Sequence, residues 1–475
     1  MRVGELRWWA ALAVVALGCG PDVVANAEDP TTDESTTDAA SPGTGDGTST
    51  GAADTTGLPT ADPDSTGTPV DPPLPDLPDY PPSPYCGDGA VDGYEECDDG
   101  NDVDDDACTN DCVDGAARLW QQEYIIDAPM CPQGLAIGPN ERIGMAGGTI
   151  GFGDDPGDAW YGFFDTNGVL QWYIHWDGGA GTLDRAVAIG YDGVGDVFLA
   201  ISESDGTYEA RLRKTDLAGT EYWTAALPHD PRGANLASDL TILPDDSVVF
   251  MARTFGSDGE GLRLQRYATD GTPQWGDSLV LLDHIDTDVR PSLGHDHDGG
   301  TYLVAARRFG LGDDAMREAF VERLAPDGSP SWSALSVPPL SSESDHVLLG
   351  ATTAAGTTSM ALFDQFAPSS VVVRAWDSTG LGPQTADPGV VLPGLEIRDA
   401  THDGVGNLVI VGSDDREGRA WTIKLDPVGQ LQWVRRTSDD RWDMTATAVT
   451  IAGNDDIIVG GCRNDTIPWL LRYAP

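Results

Sequence analysis

The chain has 475 residues, enough for two or three domains or for one large repeat array. It carries 78 acidic against 27 basic side chains, a formal net charge of −51, which excludes nucleic acid and anionic membrane surfaces as partners. Its 58 glycines and 33 prolines favour an all-β protein rich in turns.

The N-terminal segment is typical of an export signal. Two arginines flank its start, and the apolar stretch 8–17 is too short to span a bilayer as a helix. Gly18–Cys19 resembles a bacterial lipobox, which implies a lipoprotein signal peptide over 1–18 and a diacylglyceryl group on the thiol of Cys19. The alternative is an ordinary secretory peptide that is cut near residues 25–27. The lipid would be the membrane contact of an exported protein at the outer membrane or cell surface.

Residues 19–85 are a linker of low complexity, rich in Pro, Thr and Gly. Between residues 20 and 85 there are thirteen acidic residues and no Lys or Arg. Such a segment buries too little apolar surface to offset the entropy of ordering, so we expect a disordered stalk. A flexible-coil estimate gives it a span of roughly 45 Å.

Residues 86–113 form a cysteine-rich module with the sequence "CGDGAVDGYEECDDGNDVDDDACTNDCV". Its pattern resembles the short disulfide repeat of myxobacterial surface lipoproteins. A segment of this size cannot build a core, so we expect two disulfides to stabilise it. The four cysteines allow three pairings, and the sequence does not choose among them. They are Cys86, Cys97, Cys108 and Cys112.

The same module is dense in hard oxygen ligands around a glycine turn, which makes calcium a possible cofactor. The candidate ligands are Asp98, Asp99, Asn101, Asp102 and Asp104. The spacing departs from the EF-hand, and the alternative is a solvated acidic loop held by disulfides.

From residue 114 to residue 475 the sequence is periodic. Tryptophans recur after an Asp/Gly turn at intervals near 50 residues, with Gln384 where one more is expected. Between them runs an apolar strand, a polar turn and a second apolar strand, which gives four strands per unit. Such units are typical of β-propeller blades, and seven copies predict a seven-bladed propeller. The turns in "TDLAGTEYW" and "LDPVGQLQW" resemble the tryptophan docking motif of quinoprotein propellers, which implies that the indoles pack between blades.

The last copy of the repeat, "PWLLRYAP", has no turn and no tryptophan. Trp120 lies on register with the other tryptophans, so we expect the strand 119–126 to complete the seventh blade and close the ring. This arrangement removes an exposed sheet edge. Cys131 and Cys462 then fall on one face of the closing blade, which predicts a disulfide between them.

Known catalytic patterns are missing from the sequence. There is no vicinal cysteine pair of the kind that quinoprotein dehydrogenases carry, and no H-E-x-x-H, S-x-x-K or P-loop pattern. His295 and His297 alternate as metal ligands do, but they fall on the turn between the first two strands of a unit. We therefore interpret them as turn residues.

The connections between strands two and three and between successive units are long and acidic. In an antiparallel blade both emerge on one face, which is a frequent location of function. Its candidate ligand residues are Asp154, Asp155, Asp158, Asp258, Asp286 and Asp288. The alternative is that these loops are solvated connectors.

Together these features predict a lipid-anchored, extracellular β-propeller that acts as a non-enzymatic binding or adhesion module. Glycans, peptides or other surface proteins are the partners we expect, and nucleic acid is not. The alternatives are an extracellular carbohydrate-active hydrolase or lyase that uses acidic residues of the loop face, and an anionic envelope coat. Carboxylate pairs can support glycoside chemistry. Among 78 acidic residues, however, such pairs also arise by chance.

Overall fold

The computed structural model describes much of the chain beyond residue 96. The described ranges are 97–98, 118–124, 129–149, 157–176, 182–204, 207–227, 233–256, 259–276, 279–281, 290–309, 316–335, 348–353, 355–363, 371–382, 384–386, 395–414, 418–437 and 442–475. The signal peptide, the linker and most of the cysteine-rich module lie outside them. The described residues contain no helix that is long and apolar enough to cross a membrane.

Two short strands come first, β1 (Cys97–Asp98) and β2 (Arg118–Glu123). The remaining strands form successive antiparallel units, which we number I to VII. Unit I holds β3 (Pro129–Gly138), β4 (Arg142–Thr149), β5 (Ala159–Phe164) and β6 (Leu170–Trp176), with a 3-10 turn at Pro139–Glu141; unit II holds β7 (Leu183–Tyr191), β8 (Val197–Ser204), β9 (Tyr208–Thr215) and β10 (Glu221–Ala226); unit III holds β11 (Ala234–Ile242), β12 (Val248–Gly256), β13 (Gly259–Tyr267) and β14 (Leu279–Leu281).

The later units repeat this order. Unit IV holds β15 (Ser292–His295), β16 (Thr301–Phe309), β17 (Met316–Leu324) and β18 (Pro330–Leu335); unit V holds β19 (Leu348–Thr352), β20 (Thr358–Phe363), β21 (Val371–Trp376) and β22 (Gln384–Ala386); unit VI holds β23 (Leu395–His402), β24 (Leu408–Asp414), β25 (Arg419–Leu425) and β26 (Leu431–Thr437); unit VII holds β27 (Met444–Ile451), β28 (Ile457–Arg463) and β29 (Ile467–Tyr473).

The arrangement is an all-β, propeller-like one, but the sheets differ in number from the expected blades. Five separate sheets of four or five strands correspond to units III to VII, whereas seven separate blades were predicted. The difference arises because units I and II share one eight-stranded sheet, in which β4 and β7 meet through the single pair Gly148–Arg185.

The N-terminal strand completes the last unit. β2 pairs antiparallel with β29, and Trp120 lies opposite Arg472. The described part of the cysteine-rich module adds a fifth strand elsewhere: β1 pairs with β26 of unit VI, with Cys97 opposite Arg435.

Burial follows strand position within a unit. The second strands are apolar and almost wholly buried, as in β8 and β24, whereas the fourth strands β10 and β18 alternate between exposed and half-buried residues. First strands of successive units contact each other, including β27 with β3. The middle strands therefore form the core, and the first strands form an inner layer.

In the described part of the chain, seven buried hydrophobic clusters each join two neighbouring units. The cluster that contains Tyr124, Met145, Trp160 and Leu470 joins unit VII to unit I. Hydrophobic packing thus links each unit to the next, and the last unit to the first.

Candidate functional site

A tryptophan at the start of a fourth strand links one unit to the next at four junctions. Its indole N–H donates to the carbonyl two residues before the glycine of the next unit's turn. These hydrogen bonds run from Trp120 Nε1 to Thr166 O (3.1 Å), from Trp223 to Thr269 O (3.0 Å), from Trp275 to Pro326 O (3.1 Å) and from Trp332 to Ser378 O (3.0 Å). In unit III, Trp275 precedes β14 and lies outside it. The predicted interblade role of the indoles is observed at these four junctions.

The turn glycine makes this contact possible. A Cβ atom on Gly271 would come within 2.9 Å of the Trp223 indole, and one on Gly328 equally close to Trp275. Both glycines have positive φ angles, 85° and 84°, a conformation that favours glycine. Between units I and II the contact differs, because Gly219 meets Ile174 instead of an indole.

An ion pair recurs in units II, III, IV, VI and VII, and it is largely buried in all of them except unit III, where Asp245 is 60% exposed. The turn between the first two strands supplies an Asp, and the third strand supplies Lys or Arg. The pairs are Asp192–Lys214 (2.9 Å), Asp245–Arg266 (2.6 Å), Asp296–Arg323 (2.8 Å), Asp403–Lys424 (3.1 Å) and Asp456–Arg472 (2.6 Å). These pairs were not predicted from the sequence, because the separation between the Asp and the Lys or Arg differs from unit to unit.

Some of these cations also reach the next unit. Arg266 Nη1 donates to Pro326 O at 2.7 Å and Arg472 Nη1 to Thr166 O at 2.8 Å. The carbonyls of Pro326 and Thr166 therefore each accept from an indole and from a guanidinium of the preceding unit. A carbonyl oxygen has two lone pairs and can accept both donors.

Unit V lacks all three of these linking side chains. Ala375 lies opposite Ser359, as Arg323 lies opposite Tyr302 in unit IV. Gln384 lies opposite Ala375, as Trp332 lies opposite Arg323. The turn between the first two strands carries Thr353 where units II, IV and VI carry Asp, and Thr353 Oγ1 accepts from the Thr357 amide.

A cavity of about 530 Å³ lies where these side chains are missing, between units V and VI. Unit V lines it with Thr352, Thr353, Thr357, Ser359, Val373 and Ala375; unit VI lines it with His402, Asp403, Leu408 and the turn Asp426–Gly429. Sites for small ligands usually span about 300–1,000 Å³. Val405 and Val428 also line the cavity, and they are 71% and 59% exposed. The cavity thus combines hydroxyl groups with an apolar, accessible rim.

His402 is the titratable base of the cavity. Its Nε2 lies 3.0 Å from Ser359 Oγ, and its Nδ1 is buried with no hydrogen-bond partner among the described residues. Burial lowers the pKa of His402 to about 4. The imidazole is therefore neutral at physiological pH.

The cavity's two carboxylates already have partners. Burial by itself would raise the pKa of Asp403, but hydrogen bonds from Asn407 and the neighbouring Lys424 ammonium hold it below its ordinary value. Asp426 Oδ1 accepts the amides of Val428 and Gln430, which fixes the turn. Both carboxylates therefore already serve the structure of unit VI. The groups left for a ligand are hydroxyls, backbone, apolar surface and Nδ1 of His402.

A second group of carboxylates lies on the first strands. Asp239 accepts the amides of Leu240 and Leu293, and Asp399 those of Ala400 and Val449. Each therefore joins its strand to the first strand of the next unit. Burial raises the pKa of Asp239 to about 7 and that of Asp399 to about 6.

The structure places a few of the residues predicted from sequence. Cys131 and Cys462 form a disulfide with Cα atoms 5.0 Å apart. Asp465 lies 3.8 Å from Cys131 Sγ, but both sulfurs are in the disulfide, so this trio is not a metal site.

Asp158 is described and half-buried beside Thr149, away from the cavity lining. Of the proposed calcium ligands, only the backbone of Asp98 is described, in β1. Outside the described residues lie Cys19, Cys86, Cys108, Cys112, Asp99, Asn101, Asp102, Asp104, Asp154, Asp155, Asp258, Asp286 and Asp288.

Of the two histidines interpreted as turn residues, His297 lies on the turn and His295 lies at the end of the preceding strand. His295 ends β15 and its Nδ1 lies 2.8 Å from Thr241 Oγ1, whereas His297 is exposed and lies 3.2 Å from Asp298. The cavity opens among the hairpin turns, whereas the candidate ligand residues predicted from sequence belong to the long loops of the other face. The signal that identifies it is the missing tryptophan at Gln384.

The model of one family, the Domain of unknown function (DUF4215), matches residues 83–113. This match shows a cysteine-rich repeat near the N-terminus and says nothing of the propeller. No curated protein matches the chain.

The propeller-like region is similar to solved structures at low identity. A protein of unknown function from Bacteroides caccae is 11% identical, with a TM-score of 0.37, over 65% of this chain and 94% of that one. One of unknown function from Dyadobacter fermentans is 10% identical, with a TM-score of 0.43, over 75% and 99%. A gluconolactonase from Xanthomonas campestris is 16% identical, with a TM-score of 0.32, over 59% and 90%. Likeness at this level carries no functional argument.

Proposed function

We propose that this chain is an exported, non-enzymatic binding module that holds its ligand in the cavity between units V and VI. One observation carries the proposal: the cavity coincides with the unit in which Asp, Lys or Arg, and Trp are all replaced, by Thr353, Ala375 and Gln384. Polar groups around an accessible, partly apolar cavity are typical of ligand sites.

We also propose that the fold containing this cavity is a seven-bladed propeller. Units I and II each contain the same order of four antiparallel strands as the other units, and their two sets of strands are paired through one residue pair only. Seven buried clusters among the described residues match seven junctions. Removing the Gly148–Arg185 pair would leave two ordinary blades.

We further propose that the module is lipid-anchored at an outer membrane or cell surface, with peptides, glycans or other surface proteins as partners. The signal segment and Cys19 support this location, and the Cys131–Cys462 disulfide is compatible with an oxidising compartment. Mass spectrometry of the mature N-terminus tests the anchor. An N-terminus without a diacylglyceryl group on Cys19 would rule it out.

Peptide and glycan arrays probed with the full chain, with and without calcium, test the binding function. The variant Gln384→Trp places an indole at the degenerate position, and we expect it to lose the selective binding of the natural chain. Gln171→Trp is the matched control, because it adds an indole at an exposed fourth-strand position of unit I. Selective binding that survives Gln384→Trp, or turnover of an array substrate, would contradict the proposal.

A further inference from the structure

The cavity between units V and VI retains half of a contact that the protein makes four times elsewhere. At the four tryptophan junctions the receiving turn offers a glycine with positive φ and, two residues earlier, a carbonyl that accepts the indole N–H. The turn Asp426–Gly429 has the same form: Gly429 has a φ of 84°, and its amide donates to the Asp426 carbonyl.

The donor half of this contact is replaced in unit V. Gln384 stands at the tryptophan position, opposite Ala375. Ala375 has no side-chain donor, whereas Arg266 at the same position of unit III reaches the carbonyl of Pro326. The residue of unit VI that corresponds to Pro326 is Pro427, which lines the cavity.

We infer that this cavity binds a tryptophan side chain carried by a partner polypeptide, and this inference rests on the proposed function. The indole would lie over Gly429 and donate its N–H to the carbonyl of Pro427, as Trp275 does to Pro326. Val428 and Val405 form an apolar rim beside this position. A flat aromatic ring with one N–H donor suits such a site.

The charges and size of the cavity agree with this ligand. The Lys424 ammonium is paired with Asp403. Among the described residues, the cavity lining therefore has no unpaired cation that could bind an anionic ligand. Burial keeps His402 neutral, and Ser359, Thr352 and Thr353 add only neutral hydroxyls. The carboxylates of Asp403 and Asp426 are already held by hydrogen bonds within unit VI, so the lining favours a neutral ligand. The volume of about 530 Å³ leaves room for the residues that flank the tryptophan.

The protein's own sequence supplies a probe. The segment 329–335, "SPSWSAL", carries Trp332 into the equivalent slot of unit V. We would synthesise it with 5-fluorotryptophan and follow binding to the full chain by fluorine NMR, because the chain's 14 tryptophans obscure fluorescence. Peptides with Leu in place of Trp are measured by competition.

We expect the tryptophan peptide to bind at least about tenfold more tightly than the leucine peptide, because the lost indole leaves a carbonyl unpaired and an apolar slot unfilled. Gln384→Trp should weaken binding at least about tenfold by filling the slot from within. Gln171→Trp should bind as the natural chain does. Equal binding of both peptides, or unchanged binding to the Gln384→Trp variant, would overturn the inference.

A second variant tests the inference independently if Gln384→Trp does not fold. Thr353→Asp with Ala375→Arg restores the ion pair of unit IV, Asp296–Arg323, and places a guanidinium where Arg266 reaches a turn carbonyl. It should also weaken peptide binding. Binding that survives in a folded double variant overturns the inference.

The remaining outcomes separate this inference from the proposed function. If array ligands are lost on Gln384→Trp while the tryptophan peptide never binds, the indole inference is wrong and the binding function stands. If nothing binds through the cavity, both fail. If free 5-fluoroindole binds as tightly as the peptide, a polypeptide carrier is ruled out.

Discussion

Trp332 and Gly380 belong to neighbouring units and lie in direct contact. A Cβ atom on Gly380 would come within 2.7 Å of the indole, and Trp332 Nε1 donates to the Ser378 carbonyl at 3.0 Å. The indole therefore fills the space over the turn and joins unit IV to unit V. This relationship defines what the junction between units V and VI lacks.

Replacing Trp332 by Gln, which copies the natural residue of unit V, should lower the free energy of unfolding by about 2–3 kcal/mol. The change removes a half-buried indole and one hydrogen bond, and such deletions cost several kcal/mol when fully buried. Urea denaturation measures the loss. Ser333→Gln, at the exposed position next to Trp332, is the control, and an equal loss in both variants would contradict the role of the indole.

Lys424→Ala should destabilise the protein by about 3–5 kcal/mol, because it leaves the Asp403 carboxylate buried without a cation. The side chains of Lys424 and Asp403 are only 4% and 1% exposed. The double change Asp403→Thr with Lys424→Ala imitates Thr353 and Ala375 of unit V. Thermal unfolding should show the double variant closer to the natural chain, and a double variant less stable than Lys424→Ala would refute the argument.

Reduction of the Cys131–Cys462 disulfide should lower stability markedly. The bond spans 331 residues of sequence, and chain entropy gives an upper limit of roughly 5–6 kcal/mol. Unfolding of the natural chain should therefore shift to lower urea when a reductant is added. A variant with Ser at both positions should unfold at the lower urea concentration with or without reductant. A natural chain that is insensitive to complete reduction would disprove the role of the bond.

The Asp239 carboxyl should make stability fall as the pH rises from about 4 to about 7. Burial raises its pKa from 3.8 to about 7, so the folded state holds a proton that the unfolded state has released. The stabilisation is complete below the unfolded pKa and is lost as the pH passes through the folded one. His402, with its pKa lowered to about 4, acts in the opposite direction between about pH 4 and 6.5.

A comparison with Asp239→Asn isolates this effect from that of His402. Relative to the natural chain, the variant should gain on the order of 1–3 kcal/mol between pH 4 and pH 7, because one unit of pKa corresponds to about 1.4 kcal/mol. Melting temperatures at a series of pH values measure the difference. A difference that does not change with pH would contradict the raised pKa.

The sequence by itself determined the repeating strands and turns of this protein. Alternating apolar strands, Asp/Gly turns and tryptophans near 50-residue spacing are local features, and they place the strand pairs, the Trp120 strand beside β29 and the partner of Cys131. They also marked Gln384 as a departure from the pattern.

Only the tertiary structure decided what that departure means. A junction is built from side chains about 50 residues apart, such as Trp275 and Pro326, and no local pattern gives their contact. The pairing of Gly148 with Arg185, which merges two units into one sheet, depends on backbone separation alone. The cavity beside Ala375 likewise depends on packing. Thr353, Ala375 and Gln384 are far apart in sequence, and only the packed units V and VI bring these three positions together.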